Sequence, residues 1–494
     1  MKRVIWFLSI CLLVFTFSQT VLAAPGPRAP FAAEELDAFI QGQMQRHNLP
    51  GVAVAVTKGE AIVYMKGFGM AARGQAMTPD TPLYIGSLSK SFTALAIMQL
   101  HEQGKLDIDM PVKTYLPEFV IADEAAMEKI TIRNLLNHAS GLSDFSYIPQ
   151  HGNDVSIMDG IKELGEAELS APIGTVFQYF NTNYAILGAV IEKVSGMPYA
   201  DSIEEYIYAP LEMENSYTDQ EEAAQAGLPS GYTSVFGFSL ARQQPFRQYD
   251  LPGGYLMMSV SDLSKYLRMQ LNNGTFDGVS LLGAEWTEEM HTPQADLDVP
   301  YGMGWFIYDD FGTQLIEHGG TNENFHTSGM IFPEKDMTIA ILVNKNSILH
   351  ALFSHSNLNY GIKGIAAGLP MPKNVIPLRL IGYLMLAGFL VNIAMTIRSL
   401  FRMDAWRQSF KKKKTIGKVW DIGSHFIIPA ALIVLLPKWI EWFLNRGFTW
   451  QAGWSQAPDG MLWLWTGIVL DLVAGVTKAI KATRSKRELP EVIV

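Results

Sequence analysis

Leu83-Tyr84-Ile85-Gly86-Ser87-Leu88-Ser89-Lys90-Ser91-Phe92-Thr93-Ala94-Leu95-Ala96 is the stretch around which this chain is organised. A Gly-Ser turn opens a helix that the pattern carries to about Gln103, with Gly104 as its stop. At the start of a helix, the Ser87 hydroxyl lies beside unpaired backbone N–H groups and the positive end of the helix dipole, which stabilise a developing oxyanion. Lys90 falls on the same helical face three residues on. Held away from bulk water, a lysine loses its proton more easily and can take one from a serine near neutral pH. The same S-x-x-K spacing recurs from Ser409 to Lys412, in a basic run with no Gly turn before it and no apolar helix after it. Context therefore decides which of the two is chemistry.

Working outward, 494 residues leave room for a large core and appended segments. Lys2 and Arg3, an apolar run from Val4 to Phe17, and Val21-Leu22-Ala23 before Ala24-Pro25 read as a secretory signal peptide over residues 1–23. Cys11, the only cysteine, lies inside that run. The chain after it has no disulfide, no thiolate metal site and no cysteine nucleophile. Ala24 to Val375 holds 20 basic and 41 acidic residues, a net of −21 against −10 for the whole chain. Such a surface repels nucleic acid, solubilises the domain and attracts cationic substrates.

Glu34 to His47 reads as a helix, and Gly51 to Thr57 with Glu60 to Gly67 as a hairpin around Lys58-Gly59. Thr131 to Asn137 is a short helix ending in His138-Ala139-Ser140-Gly141-Leu142, where His138 fixes the turn rather than performing chemistry. A second helix follows Phe177-Gln178-Tyr179-Phe180-Asn181 and ends at Ser195-Gly196, and a third spans about Ser261 to Asn272 after the turn Leu251-Pro252-Gly253-Gly254. Strands are expected at Gly304–Tyr308, Gln314–Glu317, Ser328–Phe332 and Met337–Val343, the last two joined through Pro333-Glu334-Lys335-Asp336. Strands at both ends and helices between them imply one sheet made by joining the two ends, with helices packed on it.

Beyond Val375 the composition changes. Three apolar runs, about 380–397, 420–437 and 461–477, approach the ~20 residues a bilayer requires, within a membrane domain of 376–487. Arg398 to Lys418 carries eight basic residues and one acidic, and Lys478, Lys481, Arg484, Lys486 and Arg487 follow the third run. Basic loops stay inside, so the chain is expected in the cell membrane as a multi-pass protein with residues 34–360 on the extracytoplasmic side. Asp471, near the middle of the third run, is either functional or an interhelical contact with Asn392 or Thr396.

Three further groups complete a site. The Tyr179 phenol can exchange a proton with Lys90 and pass it to a leaving group, and the Asn181 amide can hold a substrate carbonyl. His318-Gly319-Gly320 follows a strand, with glycines that admit substrate backbone. Singly, each has a structural alternative: a core aromatic, a turn residue, a strand-end side chain. Neither a metal site nor a phosphate loop is evident, so no cofactor is expected.

Taken together, Tyr84-Ile85-Gly86-Ser87-Leu88-Ser89-Lys90, Leu135-Leu136-Asn137-His138-Ala139-Ser140-Gly141-Leu142, Phe177-Gln178-Tyr179-Phe180-Asn181 and His318-Gly319-Gly320 resemble the class C β-lactamase and penicillin-binding-protein-like serine hydrolases, from about Glu34 to Asn346. The resemblance implies an α/β, β-lactamase/transpeptidase-like domain: an antiparallel sheet with flanking helices and a helical subdomain, here followed by three transmembrane helices. It implies Ser87 as nucleophile, Lys90 and Tyr179 as its acid/base partners, and an oxyanion hole from the backbone N–H groups of Ser87 and Thr321. Asn181, His318, Gly320 and Thr321 would bind substrate. His318 stands where lactam-reactive members often have lysine, and a neutral imidazole is a poorer carboxylate anchor. The S-D-N and K-T-G motifs of class A enzymes are absent.

Signal peptide, hydrolase domain and three C-terminal membrane helices together resemble the membrane-anchored colibactin-maturation peptidases, which remove an N-acyl-D-asparagine cap from nonribosomal peptide prodrugs. His318-Gly319-Gly320-Thr321-Asn322-Glu323-Asn324-Phe325 is also similar, making Asn322 a contact for the D-asparagine side chain. The expected partners are an acylated, D-amino-acid-containing peptide, cationic by the charge argument, and a lipid bilayer, with no nucleic acid. A D,D-peptidase, esterase or weak β-lactamase acting on the cell envelope would use the same residues. A non-catalytic ligand-binding membrane protein is the alternative of another class.

Overall fold

Along Gly51-Val52-Ala53-Val54-Ala55-Val56-Thr57, large and small apolar side chains alternate, and a strand turns alternate residues to opposite faces. The computed structural model, which describes residues 32–144, 154–294, 297–371, 377–444 and 447–483, places this segment near the middle of a sheet, buried on both sides. The signal-peptide reading of residues 1–23 and the basic tail after residue 483 lie outside the described residues. The chain divides into two compact units, with the boundary of the larger at Leu378.

In the larger unit, helix α1 (Ala33–His47) precedes strands β1 (Gly51–Lys58), β2 (Ala61–Ala72) and β3 (Gln75–Ala76). The central helices used below are α2 (Ser89–Glu102), α3 (Asn181–Ser195) and α4 (Val260–Leu271). Strands β4 (Phe306–Asp309), β5 (Gln314–Thr321), β6 (His326–Phe332) and β7 (Met337–Val343) follow, then helix α5 (Ser356–Ala367). The seven strands form one sheet in the order β4-β5-β6-β7-β1-β2-β3, with every neighbour antiparallel. The two ends of the domain join at the β1–β7 pairing, where Val52 faces Val343 and Ala55 faces Ala340.

Each face of the sheet has its own core. Val52, Val54, Val56, Ile339, Ile341 and Val343 meet Leu36 and Ile40 of α1 and Leu358, Ile362 and Ile365 of α5. Helix α5 runs through residue 360, so its packing on the sheet continues past that position. On the opposite face, Ala53, Ala55, Ala340 and Leu342 form a shallow surface in one core with Phe92 and Leu95 of α2 and Leu263 and Leu267 of α4. Helix α2 is buried from Ser89 through Leu100, as expected of a helix enclosed on every side. Between α2 and α4 lies the helical subdomain, including the short helix Ile132–Leu136, whose Thr131 and Asn134 form a capping box.

Two sequence boundaries move. Ser87 lies in a 3₁₀ turn, Gly86–Leu88, that feeds α2 rather than in the α-helix itself. His318, Gly319 and Gly320 lie within β5, which extends to Thr321, rather than after a strand. The alternation rule missed this extension because two glycines carry no side-chain signal.

In the smaller unit, α6 (Leu378–Phe401), α7 (Thr415–Leu444) and α8 (Pro458–Thr483) are long and apolar enough to cross a membrane. They exceed the apolar runs because their ends carry polar residues. Asp471 of α8 is paired with His425 of α7, Oδ1 to Nδ1 at 3.2 Å. Thr396 donates to the carbonyl of Asn392 within α6. His425 Nε2 lies 3.0 Å from the Lys478 ammonium, so that nitrogen accepts and Nδ1–H donates to Asp471. Lys478 also reaches Asp421 at 3.2 Å, which in turn holds Lys413 at 2.7 Å.

Two predictions follow the packing. Asp471→Ala leaves His425 Nδ1–H without this acceptor and is expected to cost about 0.6–2 kcal/mol, whereas Asp471→Asn, which keeps an acceptor, costs less. Thermal unfolding of the full chain in detergent reads the difference, and equal midpoints for the two variants would dismiss the pairing. Burial also holds His47, His291 and His326 down to about 4. The unfolded chain binds these protons near pH 6.5 and the native one only near 4, so their stability contribution is complete above about 6.5 and declines toward 4. Each should contribute a slope of about 1.4 kcal/mol per pH unit in that window, measured as a falling thermal midpoint between pH 7 and 4.5; a flat profile would contradict it.

Candidate active site

Gly86 and Gly320 bring two segments into contact that side chains would hold apart. Gly86 has φ +54, and a Cβ there would come within 2.4 Å of the Thr321 nitrogen. A Cβ on Gly320 would lie 1.8 Å from the Ile85 carbonyl oxygen and 3.1 Å from the Ser87 nitrogen. The backbone N–H groups of Ser87 and Thr321 are thereby brought to one place, on the 3₁₀ turn and the end of β5. Ser87 is half-buried there, while its neighbours Gly86, Leu88, Ser89 and Lys90 are buried.

Lys90 extends from the first turn of α2 into this junction. Its Nζ donates to the Gly253 carbonyl at 2.6 Å and to Asn181 Oδ1 at 2.8 Å, and lies 3.3 Å from Ser87 Oγ. It stands 4.9 Å from the centre of the Tyr179 ring and 5.6 Å from that of Tyr184. Ser87, Lys90, Tyr179 and Asn181, separated by up to 94 positions in sequence, are thus assembled around one lysine nitrogen.

The Tyr179-Phe180-Asn181 segment is fixed from behind by His138. That residue is buried, with φ +54, and its Nδ1 accepts from the Phe180 N–H and from Asn183 Nδ2, each at 3.2 Å. Asn183 Oδ1 accepts from Ser140 at 2.9 Å, and the His138 carbonyl accepts from the Gln178 N–H at 2.8 Å. Burial, then the nearby Lys90 charge, keeps His138 neutral by lowering its pKa well below the ordinary histidine range. The Asn-His-Ala-Ser-Gly turn is a clamp for the tyrosine segment, in keeping with the sequence reading of His138.

His318 is buried in β5 against Tyr179, Tyr301 and Phe306, with ring centroids 6.4, 6.0 and 5.4 Å away. Its Nδ1–H donates to the Gly319 carbonyl at 2.7 Å, which leaves Nε2 as an acceptor with no protein partner among the described residues. Burial first and Lys90 second push its pKa down to about 3. Asn322 spends its Nδ2 on the Gly254 carbonyl at 2.9 Å, and its Oδ1 is buried with no hydrogen-bond partner among the described residues. No group of three or more His, Cys, Asp or Glu among the described residues could hold a metal ion.

Two participants were missed by sequence reasoning. Gly253 and Gly254 read only as a turn, yet their carbonyls hold Lys90 and Asn322. The turn packs directly on the Asn181 segment: a Cβ on Gly253 would be in van der Waals contact with the Asn181 carbonyl oxygen, at 3.4 Å. A sequence shows no signal for a backbone carbonyl, and the Gly-Gly pair marked only the turn.

Residues 36–352 match the family model described as Beta-lactamase. Penicillin-binding protein 4 of Amycolatopsis lactamdurans is 28% identical over 349 residues, covering 67% of this chain and 89% of that protein. Protein flp of Staphylococcus aureus strain MW2 is 28% identical over 321 residues, 64% of this chain; the match spans 63% of the length of that protein. Among solved structures, the octameric penicillin-binding protein homologue from Pyrococcus abyssi superposes with a TM-score of 0.58 at 30% identity, over 68% of this chain and 76% of that one. The fold is likewise that of a class C β-lactamase from Rhodobacter sphaeroides, with a TM-score of 0.56 at 21% identity over 66% of this chain and 99% of that one. With the family model covering well over half its length, this chain belongs to the Beta-lactamase family.

Proposed function

We propose that the protein is an exported, membrane-anchored serine peptidase that forms an acyl-enzyme on Ser87 and cleaves an acyl-D-amino-acid cap, with N-acyl-D-Asn the first candidate, from a nonribosomal peptide prodrug. The observation that carries the chemistry is the arrangement at Lys90. Two carbonyl acceptors, Gly253 O and Asn181 Oδ1, take two of its N–H bonds at 2.6 and 2.8 Å. In the neutral amine, the lone pair is then left toward Ser87 Oγ at 3.3 Å, where it can accept the serine proton.

Ser87 Oγ attacks the substrate carbonyl carbon as its proton passes to Lys90 Nζ. The N–H groups of Ser87 and Thr321 hold the oxyanion. Tyr179 passes a proton to the leaving amine nitrogen, the C–N bond breaks, and the amine departs. Lys90 returns the serine's proton to Tyr179; water then attacks the acyl carbon as it gives a proton to the Lys90–Tyr179 pair, which passes it to Ser87 Oγ as the C–O bond breaks and the acid departs. The Asn181 carbonyl oxygen faces Lys90, so its amide nitrogen is the donor for a substrate carbonyl. Gly320 gives substrate backbone room beside β5. Three apolar helices and the basic segments around them support a membrane position with the hydrolase unit on the extracytoplasmic side.

His318 bears on the substrate. A neutral imidazole with a buried Nε2 adds no positive charge beside the site, which suits a neutral amide better than a carboxylate. That favours removal of a cap from a continuing amide chain over reaction at a free C-terminal carboxylate. The likeness to Penicillin-binding protein 4 supports a second reading, a D,D-peptidase, esterase or weak β-lactamase acting on the cell envelope.

Full-length protein in detergent, incubated with an N-acyl-D-Asn-amide, an N-acyl-D-Ala-D-Ala peptide and a penicillin, separates these by mass spectrometry. Release of acyl-D-Asn that disappears in Ser87→Ala is expected; release of D-Ala alone, or a lasting penicillin adduct, would assign the protein to the cell-envelope reading. Unchanged hydrolysis in Ser87→Ala would remove Ser87 from the mechanism. His318→Lys should raise kcat/KM for carboxylate-bearing substrates by about 10- to 100-fold, the worth of one charge-assisted hydrogen bond. No gain with the carboxylate substrates would show that residue 318 does not choose between them.

A further inference from the structure

Just beyond β7, Lys345 and Asn346 pair in parallel with Tyr232 and Thr233 behind the site. Asn346 is buried, and its Nδ2 donates to the Asn322 carbonyl at 2.7 Å. A carbonyl oxygen can only accept, so the amide orientation is fixed and Oδ1 is the atom 3.2 Å from His355 Nε2. That ring nitrogen therefore carries the proton. His355 stacks on His326 with centroids 4.0 Å apart and planes 8° from parallel, and His326 lies opposite Thr321 in the β5–β6 register. Asn346 is thus held on one side by His355, itself stacked on His326.

On its other side the connections lead into the site. Asn322 follows Thr321 and donates from Nδ2 to the Gly254 carbonyl at 2.9 Å. The adjoining Gly253 carbonyl accepts from Lys90, which reaches Ser87. An unbroken chain of buried contacts runs from His355 through Asn346, Asn322 and the Gly253–Gly254 turn to the ammonium. The oxyanion segment and the lysine's acceptor are both tied to the same amide.

We infer that Asn346 is a positioning residue, backed by His355, that sets the place of Thr321–Asn322 and of the Gly253–Gly254 turn and so the reach of Lys90 to Ser87. This rests on Ser87 being the nucleophile. The acceptor on Gly253 and the N–H of Thr321 belong to segments far apart in sequence, and Asn322 spans between them with its N–H held by the Phe325 carbonyl at 3.1 Å and its own carbonyl held by Asn346. Displacement of such groups by about 1 Å is enough to cost about 10²-fold in rate.

The test is the rate at which a fluorophosphonate probe acylates Ser87 in the full-length protein in detergent. The labelling end point counts folded sites, so the rate per site is free of losses in folding. Asn346→Asp places an oxygen where the donor to Asn322 stood and should slow acylation per site by about 10- to 100-fold with the end point retained. His355→Phe keeps the stacked ring but removes the donor and should slow it by about 3- to 10-fold, and His355→Gln, which restores an N–H, should recover most of that loss. An Asn346→Asp rate within about twofold of wild type, an expectation set by the same scale, overturns the inference. So do equal rates for His355→Phe and His355→Gln, which also decide the matter if Asn346→Asp does not fold. Failure of the wild type to label would refute the nucleophile and this inference with it. Labelled wild type that cleaves no amide refutes only the peptidase reading.

Discussion

Everything in the hydrolase unit depends on one constraint: a buried lysine must be held beside a serine. Lys90 is fully buried, and an ammonium or amine in such a place is costly unless its N–H groups are met. Gly253 and Asn181 meet them, one from a turn and one from the first residue of α3. Neither acceptor belongs to the Ser87–Lys90 segment. The arrangement of Ser87, Lys90, Asn181 and Gly253 therefore depends on the packing of the helical subdomain against α2.

The sheet supplies the other half of the constraint. Joining β1 to β7 brings β5 alongside the 3₁₀ turn, and the two chains approach so closely that Gly86 and Gly320 admit no side chain. An alternation of Val and Ala in β1 serves the same end. The valine face carries one core, while the alanine face stays shallow enough for α4 and α2 to lie near the sheet and present Ser87 at its edge. Large side chains at Ala53 or Ala55 would lift the helical layer away from β5.

Sequence made legible what is carried by side chains in local patterns. Periodicity located α1, α3, α4 and the β6–β7 hairpin, and the end-to-end sheet followed from the order of elements. Ser87, Lys90, Tyr179, Asn181 and His318 could be named because their residue types are chemical, and the structure brings them together. What stayed hidden lacks a residue signature. Gly253 acts through its carbonyl, which every residue possesses. Asn346 and His355 act through an amide flip and a tautomer, fixed only by neighbours in space. Asp471 was legible as an anomaly, but its partner His425, 46 residues away on another helix, was not. The end of β5 was missed because glycines erase the alternation that defines a strand.

His318 illustrates how one site can make a second cation unfavourable. Walled by Tyr179, Tyr301 and Phe306 and within the field of Lys90, the imidazole stays neutral, its proton fixed on Nδ1 by the Gly319 carbonyl. At short range that position then supplies no positive charge. At longer range, a domain with 41 acidic and 20 basic residues between Ala24 and Val375 repels anions before they arrive. Both effects act in the same electrostatic direction, against a negative charge beside Lys90. A lysine at 318 would have set the near field against the far one, drawing in a group that the surface turns away. The neutral histidine brings the two into agreement, and it does so without adding a second charge to the desolvated surroundings of Lys90.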